Sequence, residues 1–122
     1  MEEELDLDMV FDIHGMYDLL DEYFHNFETK NLIALEKMFS EKVSLRDWEV
    51  SVSGLEQVLR ANQNIFNNTG DIKITRVSTV VHESGLTFSE ILINVNNEIL
   101  KVLDVIVFNS KNKIISIRAY KG

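Results

Sequence analysis

Apolar residues recur with the period of a helix near the start of the chain. In the segment 16–28, four large apolar or aromatic residues are spaced at i, i+3, i+4 and i+7, which is one face of an α-helix. They are Leu20, Tyr23, Phe24 and Phe27. A second, short helix is predicted to begin at Asn31, because asparagine caps helix N-termini well. Its predicted buried stripe consists of Leu32, Leu35, Met38 and Phe39.

A strand and a third helix are predicted next. The stretch EKVSLRD alternates apolar and polar residues as a strand does, with Val43 and Leu45 on the same face. Ser53 is followed three residues later by Glu56, which fits a capping box at the start of a helix. The apolar face of that helix would consist of Leu55, Val58, Leu59, Ile65 and Phe66.

The pattern changes after the turn sequence NNTGD. Strands are predicted at about 71–82, 86–95, 98–109 and 113–120, separated by short polar connections. Short connections favour antiparallel pairing. Helices followed by a meander of strands predict an α+β domain.

Composition and charge narrow the class of protein. The chain has 122 residues and is 45% hydrophobic, which suits one domain with a core. Its net charge is −8, and six of its 20 acids lie in residues 1–12, a segment without a basic residue. We therefore expect an acidic, solvated N-terminal arm at 1–12 and a single domain at 13–122.

The absence of a basic patch argues against nucleic-acid binding. The absence of cysteine and of an apolar run of about 18 residues leads us to expect a cytoplasmic protein that does not enter membranes.

The strand predicted at 98–109 is apolar on both faces. One face should pack on the helices, and the other requires a second layer, which a homodimer would supply through the outer face of the sheet. Asp104 lies in the middle of this strand, on the same face as Val102 and Ile106.

Three polar side chains fall on faces that are otherwise predicted to be buried. Asp104 is one, Asp47 follows Leu45 on the inward parity of its strand, and Tyr23 lies on the inward face of the first helix. In an apolar cavity, an ionised carboxylate can take a proton from carbon, while a phenol and a neutral carboxyl can donate hydrogen bonds to the resulting oxyanion. The sequence leaves other roles open. Asp47 could be a loop acid at a strand end, Tyr23 a core aromatic, and Asp104 part of a structural hydrogen-bond network.

Residues 16–122 resemble the SnoaL-like branch of the nuclear-transport-factor-2-like (NTF2-like) superfamily, and the predicted site is most similar to that of ketosteroid isomerase. The resemblance rests on YFHNFETKNLIALEKMFSEKVSLRD from Tyr23 to Asp47, on SGLEQV, on LDVIVF around Asp104, and on IISIRAY. It implies a cone-shaped, cystatin-like fold in which a curved, mostly antiparallel sheet wraps around three helices, often paired as a homodimer. It also implies that Tyr23 is the oxyanion donor, Asp47 the general base and Asp104 the protonated acid.

The same resemblance leads us to expect a substrate pocket lined by Phe27, Trp48, Phe66 and Tyr120. The chain differs from the isomerase pattern where Trp48 replaces a proline beside the base and where Lys121 replaces an aromatic residue. The implied activity is proton transfer or cyclisation on a small hydrophobic carbonyl compound. The alternative is a non-catalytic module of the same fold that binds a small ligand or dimerises.

No metal and no cofactor are expected. The three histidines, His14, His25 and His82, fall on different predicted elements and lack the spacing of metal ligands.

Overall fold

Residues 12–122, which a computed structural model of the chain describes, form three helices and one six-stranded sheet. The helices are α1 (Ile13–Glu28), α2 (Leu32–Met38) and α3 (Leu55–Asn67). The strands are β1 (Phe39–Arg46), β2 (Ser51–Ser53), β3 (Ile72–Val81), β4 (Leu86–Val95), β5 (Glu98–Phe108) and β6 (Ile114–Lys121). The predicted acidic arm lies outside the described residues except for Asp12, whose carboxylate caps α1 by accepting a bond from the His14 backbone N–H.

The strands pair in the order β2-β1-β6-β5-β4-β3. Every neighbouring pair is antiparallel except β1 and β6, which are parallel. Register shifts in β1, β3 and the β5–β6 pair mark irregularities of the kind that bend a sheet. Helix α1 packs against β3, and α3 packs against β1 and β2. The predicted fold class, α+β with a mostly antiparallel sheet around helices, is confirmed.

The predicted face of the first helix is confirmed. That of the second is confirmed for Leu32, Leu35 and Met38, whereas Phe39 is buried as the first residue of β1. On α1, Leu20, Tyr23 and Phe24 are buried, while Phe27 is partly buried. Asn31 caps α2 as expected, because its side-chain oxygen accepts a bond of 3.1 Å from the Ala34 backbone N–H. These faces meet the buried faces of β1, β4, β5 and β6 in one apolar core.

The predicted capping box at Ser53 is wrong. Ser53 is the last residue of β2, where it pairs with Ser44 of β1, and the N-cap of α3 is Gly54, which has no side-chain cap bond. Gly54 has a φ of +96°, and its backbone N–H bonds the Val43 carbonyl at 2.7 Å. Strand pairing holds Ser53 in the extended conformation, and the chain turns into α3 at a glycine because few other residues adopt this backbone conformation.

The two faces of β5 differ in burial. Val102, Asp104 and Ile106 are buried against the helices. On the opposite, outer face Val105 is buried, but Leu103 is 38% exposed and Ile99 is 64% exposed. The described part of the chain therefore leaves an apolar region uncovered on the outer face. None of the helices in residues 12–122 has the length and apolar character needed to cross a membrane.

Candidate active site

A cavity of about 540 Å³ opens between the inner face of the sheet and helices α1 and α3. Most of its wall is apolar, and inward-facing residues of β3, β4 and β5, such as Ile74, Ile91 and Val102, form part of it. Its volume lies in the range of sites that enclose a small organic molecule. Tyr23, Asp47 and Asp104, the three side chains singled out in the sequence, all line this cavity.

Asp104 lies in the wall of the cavity near the middle of β5. It pairs with Ser89 of β4 and Ala119 of β6, so strands on both sides fix its position. The side chain is 8% exposed, and burial, followed by the nearby charge of Asp47, raises the pKa of Asp104 from 3.8 to about 7. Burial has this effect because a charged carboxylate loses its hydration in an apolar environment. Asp104 can therefore hold a proton, and donate a hydrogen bond, close to neutral pH.

Tyr23 reaches the cavity from α1. Its ring packs among Phe24, Phe27 and Phe39, with centroid separations of 5.3, 6.3 and 6.5 Å. Burial raises the pKa of the Tyr23 hydroxyl, and the charge of Asp104 raises it further. The hydroxyl thus remains protonated at neutral pH and close enough to Asp104 for the two groups to interact electrostatically.

Asp47 follows the last residue of β1 and begins a tight turn at the edge of the cavity. Its Oδ1 atom accepts bonds of 2.7 Å from the backbone N–H groups of Glu49 and Val50, and its own N–H bonds the Val50 carbonyl at 2.9 Å. These bonds orient the carboxylate, and neither side-chain bond uses Oδ2. Asp47 is half-buried. Asp47 therefore lies at the end of a strand, which agrees with its interpretation as a loop acid. It also lines the cavity, which agrees with its interpretation as a site residue.

Two of the four predicted pocket residues line the cavity and two do not. Phe27 and Trp48 line it, and the Trp48 indole is 42% exposed with the Lys121 ammonium 5.3 Å from its ring centre. Phe66 is a correction: it packs behind Phe27, with ring centroids 5.1 Å apart, and belongs to the core.

Tyr120 is also a correction. Ile117 and Ala119 of β6 face the cavity, so strand alternation turns Tyr120 to the outer face. There it is 47% exposed, and its hydroxyl accepts a bond of 3.4 Å from the Arg46 guanidinium.

Asn62 is a cavity residue that the sequence analysis missed. It is 3% exposed, and its Nδ2 atom is buried without a hydrogen-bond partner among residues 12–122. The sequence does contain the signal, because Asn62 is four residues after Val58 and four before Phe66, both buried. A polar amide at that spacing faces the same way as its apolar neighbours.

The charged groups in the cavity wall are all acidic. Asp47, Glu49, Glu98 and Asp104 line it, whereas no lysine, arginine or histidine of the described segment does. Among residues 12–122, no group of three or more His, Cys, Asp or Glu side chains is arranged to hold a metal ion. The arrangement offers a carboxylate acceptor and two neutral donors around one apolar space.

A curved, open sheet that encloses helices and a cavity defines the NTF2-like fold, which is also called cystatin-like. No protein-family model matches the sequence, and no curated protein matches it. Solved structures do match the fold. An NTF2-like protein of unknown function from Cytophaga hutchinsonii has a TM-score of 0.72 and 19% identity, with 87% of this chain and 88% of that chain covered.

Two further structures agree. A candidate ketosteroid isomerase from Kribbella flavida has a TM-score of 0.74 and 14% identity, with 86% of this chain and 76% of that one covered. A protein of unknown function with a cystatin-like fold from Methylobium petroleophilum has a TM-score of 0.80 and 13% identity, with coverages of 93% and 79%. At these identities the likeness establishes the fold. The fold implied by the sequence resemblance is confirmed.

Proposed function

We propose that the cavity binds a small hydrophobic carbonyl compound and moves a proton at the carbon next to the carbonyl. Asp47 takes the proton from that carbon, and the bonding electrons move onto the carbonyl oxygen to form an enolate. Tyr23 and Asp104 donate hydrogen bonds to the enolate oxygen. Asp47 then returns the proton to another carbon. Alternatively, the enolate carbon attacks a second carbonyl carbon within the same molecule and closes a ring, and the alkoxide formed on that carbonyl takes the proton from Asp47.

The observation that carries this proposal is the different environment of the two carboxyl groups that share the cavity. Asp104 is buried with its pKa raised to about 7, whereas Asp47 is half-buried and accepts two backbone N–H bonds. A proton abstraction needs one carboxylate as the base and uncharged donors for the oxyanion. Tyr23 supplies a second uncharged donor, and most residues of the wall are apolar. The candidate ketosteroid isomerase among the structural neighbours is consistent with this chemistry.

The experiment uses cyclohex-3-en-1-one, a ketone whose double bond becomes conjugated when the proton moves. Formation of the conjugated enone is followed by ultraviolet absorbance, and exchange of the hydrogens next to the carbonyl is followed by NMR in D₂O. We expect Asp47→Asn to lower the rate about 100-fold or more, as loss of a general base does. The Asn side chain keeps an oxygen that can accept the two turn bonds, so the fold should persist, which circular dichroism checks.

Two donor variants and one control complete the test. Tyr23→Phe and Asp104→Asn should each lower the rate by about tenfold or more, because each alters a donor to the oxyanion. Asp18→Asn changes an exposed carboxyl on α1 outside the cavity and should leave the rate unchanged. A rate that survives Asp47→Asn would remove Asp47 from the mechanism.

A second candidate is a non-catalytic domain that binds a small hydrophobic ligand. The observation that favours it is the structural task of Asp47, whose carboxylate already stabilises the turn at residues 47–50. On this account wild-type protein binds ligands in the cavity but causes no exchange in D₂O with this ketone or with larger ones.

We also propose that the chain forms a homodimer through the outer face of the sheet. Apolar or aromatic side chains that are at least one-third exposed cluster on that face of β3, β4, β5 and β6. They include Val80, Phe88, Ile99, Leu103 and Tyr120. Burying such a surface against a second copy would remove it from water.

A further inference from the structure

Asn62 places a side-chain amide with an unused hydrogen-bond donor in the wall of the cavity. Its side chain is 97% buried, lines the cavity from α3, and has no partner for Nδ2 within the described part of the chain. The other buried asparagine on a helix, Asn26, differs because its Nδ2 atom contacts the Met38 sulfur at 3.6 Å.

An unpartnered buried amide is unfavourable for the folded protein. Its N–H group has lost its hydrogen bonds to water and has formed none within the described residues. A leucine of similar size would pack better against the apolar neighbours Val58 and Phe66. Core packing therefore does not explain an asparagine here. A molecule that enters the cavity and offers an oxygen to Nδ2 does explain it.

The charge of the cavity restricts what that molecule is. Four carboxyl groups line the wall, and none of the described lysine, arginine or histidine side chains does. Two ammonium groups near the cavity have other contacts: Lys30 bonds the backbone carbonyls of Phe66 and Thr69 at 3.1 and 2.6 Å, and Lys121 lies over the Trp48 ring. An anionic carboxylate or phosphate would be repelled without a counter-charge. The ligand therefore carries no anionic group.

We propose that Asn62 determines specificity for a ligand that has two oxygen functions and no anionic group. The first oxygen is the carbonyl that Tyr23 and Asp104 contact, and the second is a ketone, ester, ether or hydroxyl oxygen that accepts a bond from Asn62 Nδ2. The inference rests on the proposed function, since it takes the position of the first oxygen from it.

The test uses fluorescent naphthols, because a planar aromatic hydroxyl imitates the enol in the proposed reaction. The probes are 2-naphthol, its 6-acetyl and 7-acetyl derivatives, and 6-hydroxy-2-naphthoate. Affinities are measured by fluorescence titration with wild type, Asn62→Leu and Gln63→Leu. Gln63 is the matched control, because it is the next residue of α3 but is exposed and outside the cavity.

We expect wild type to bind one of the acetyl isomers about tenfold more tightly than 2-naphthol, the effect of one added hydrogen bond. It should bind the anionic naphthoate more weakly than 2-naphthol. Asn62→Leu should lose the tenfold preference, keep its affinity for 2-naphthol, and melt at the same or a higher temperature than wild type. Gln63→Leu should keep the preference.

Other results overturn the inference in distinguishable ways. If 2-naphthol binds in a manner that depends on Tyr23 and Asp104 but Asn62→Leu changes no preference, the role of Asn62 fails and the proposed function stands. If Asn62→Leu lowers the melting temperature and weakens all probes alike, Asn62 is structural and the inference also fails. If no probe binds, or binding is insensitive to Tyr23→Phe and Asp104→Asn, the proposed function fails together with it.

Discussion

The stability of the folded protein depends on pH through Asp104, because this side chain binds a proton more tightly in the folded chain than in the unfolded chain. Its pKa is raised from 3.8 to about 7 in the folded state. Between these values the unfolded chain has released the proton while the folded chain still holds it. The contribution of this proton to stability is thus fully present below about pH 4 and is lost as the pH rises through 7, by about 4 kcal/mol at most.

We predict that Asp104→Asn removes this pH dependence. The asparagine does not titrate. The free energy of unfolding of the variant, relative to that of wild type, should therefore rise by about 2–3 kcal/mol between pH 5 and pH 8. Urea unfolding of both proteins at the two pH values measures the difference. Parallel pH dependence in the two proteins would mean that Asp104 titrates alike in the folded and unfolded states.

Single residues were predictable from the sequence where local periodicity decides their direction. Asp104 has apolar neighbours on both sides and strand alternation fixes its face, so its burial followed from the pattern. The prediction that Tyr120 lines the pocket is wrong, because alternation from Ile117 and Ala119 turns Tyr120 to the outer face of the sheet. Asn62 was not predicted, although it lies four residues from Val58 and from Phe66 on the buried face of α3.

At the scale of elements, the entry to α3 depends on Gly54. Its φ of +96° and ψ of 146° lie in a region that residues with a Cβ atom rarely adopt. No atom beyond Gly54 and its two chain neighbours lies within 4 Å of the position a Cβ would occupy. The requirement for glycine therefore comes from the backbone and not from crowding.

We predict that Gly54→Ala destabilises the protein by about 1–3 kcal/mol through backbone strain. Gly70→Ala is the matched control, because Gly70 lies in a turn without a positive φ and the nearest atom to its Cβ position is 3.9 Å away. Thermal or urea unfolding of the two variants gives the comparison. Equal stability of Gly54→Ala and wild type would show that the chain can enter α3 with another backbone conformation.

The elements themselves were largely predictable, and the failures have a common cause. The helix periodicity of α1 and the alternation of β3 to β6 are strong local signals, and their predicted bounds agree closely with the structure. Strand β2 has three residues, too few for alternation to be recognised. Its pairing with β1 also took Ser53 out of the predicted capping box, so a tertiary contact prevailed over a local preference.

At the scale of the whole molecule, the order of helices and strands indicated the fold class. The position of the cavity residues relative to one another depends on contacts between segments that are far apart in the sequence. The parallel pairing of β1 with β6 brings Leu45 beside Ile117, 72 positions later in the sequence. Pairings of this kind set where Asp47 lies relative to Asp104. No local pattern contains that register, so only the resemblance to a known family suggested that the two acids meet.

The outer face of the sheet gives a prediction about assembly. Leu103 is 38% exposed and lies between Glu90 and Tyr120 on neighbouring strands. Leu103→Lys should separate the proposed homodimer into single chains, because an ammonium group is costly to bury at an apolar interface, while Glu90 can pair with it in the monomer. Light scattering measures the mass, and Ile33→Lys, at a 71% exposed position on α2, should remain dimeric. A wild-type mass of one chain would contradict the proposed dimer.

The central claim is that the cavity holds a protonated carboxyl group close to neutral pH. A pH titration followed by NMR of protein labelled with ¹³C at the aspartate carboxyl carbons tests it most directly, with Asp104→Asn identifying the resonance. The account predicts that Asp104 titrates near pH 7, as its raised pKa requires. A titration near pH 4, the value of an ordinary exposed aspartate, would contradict it.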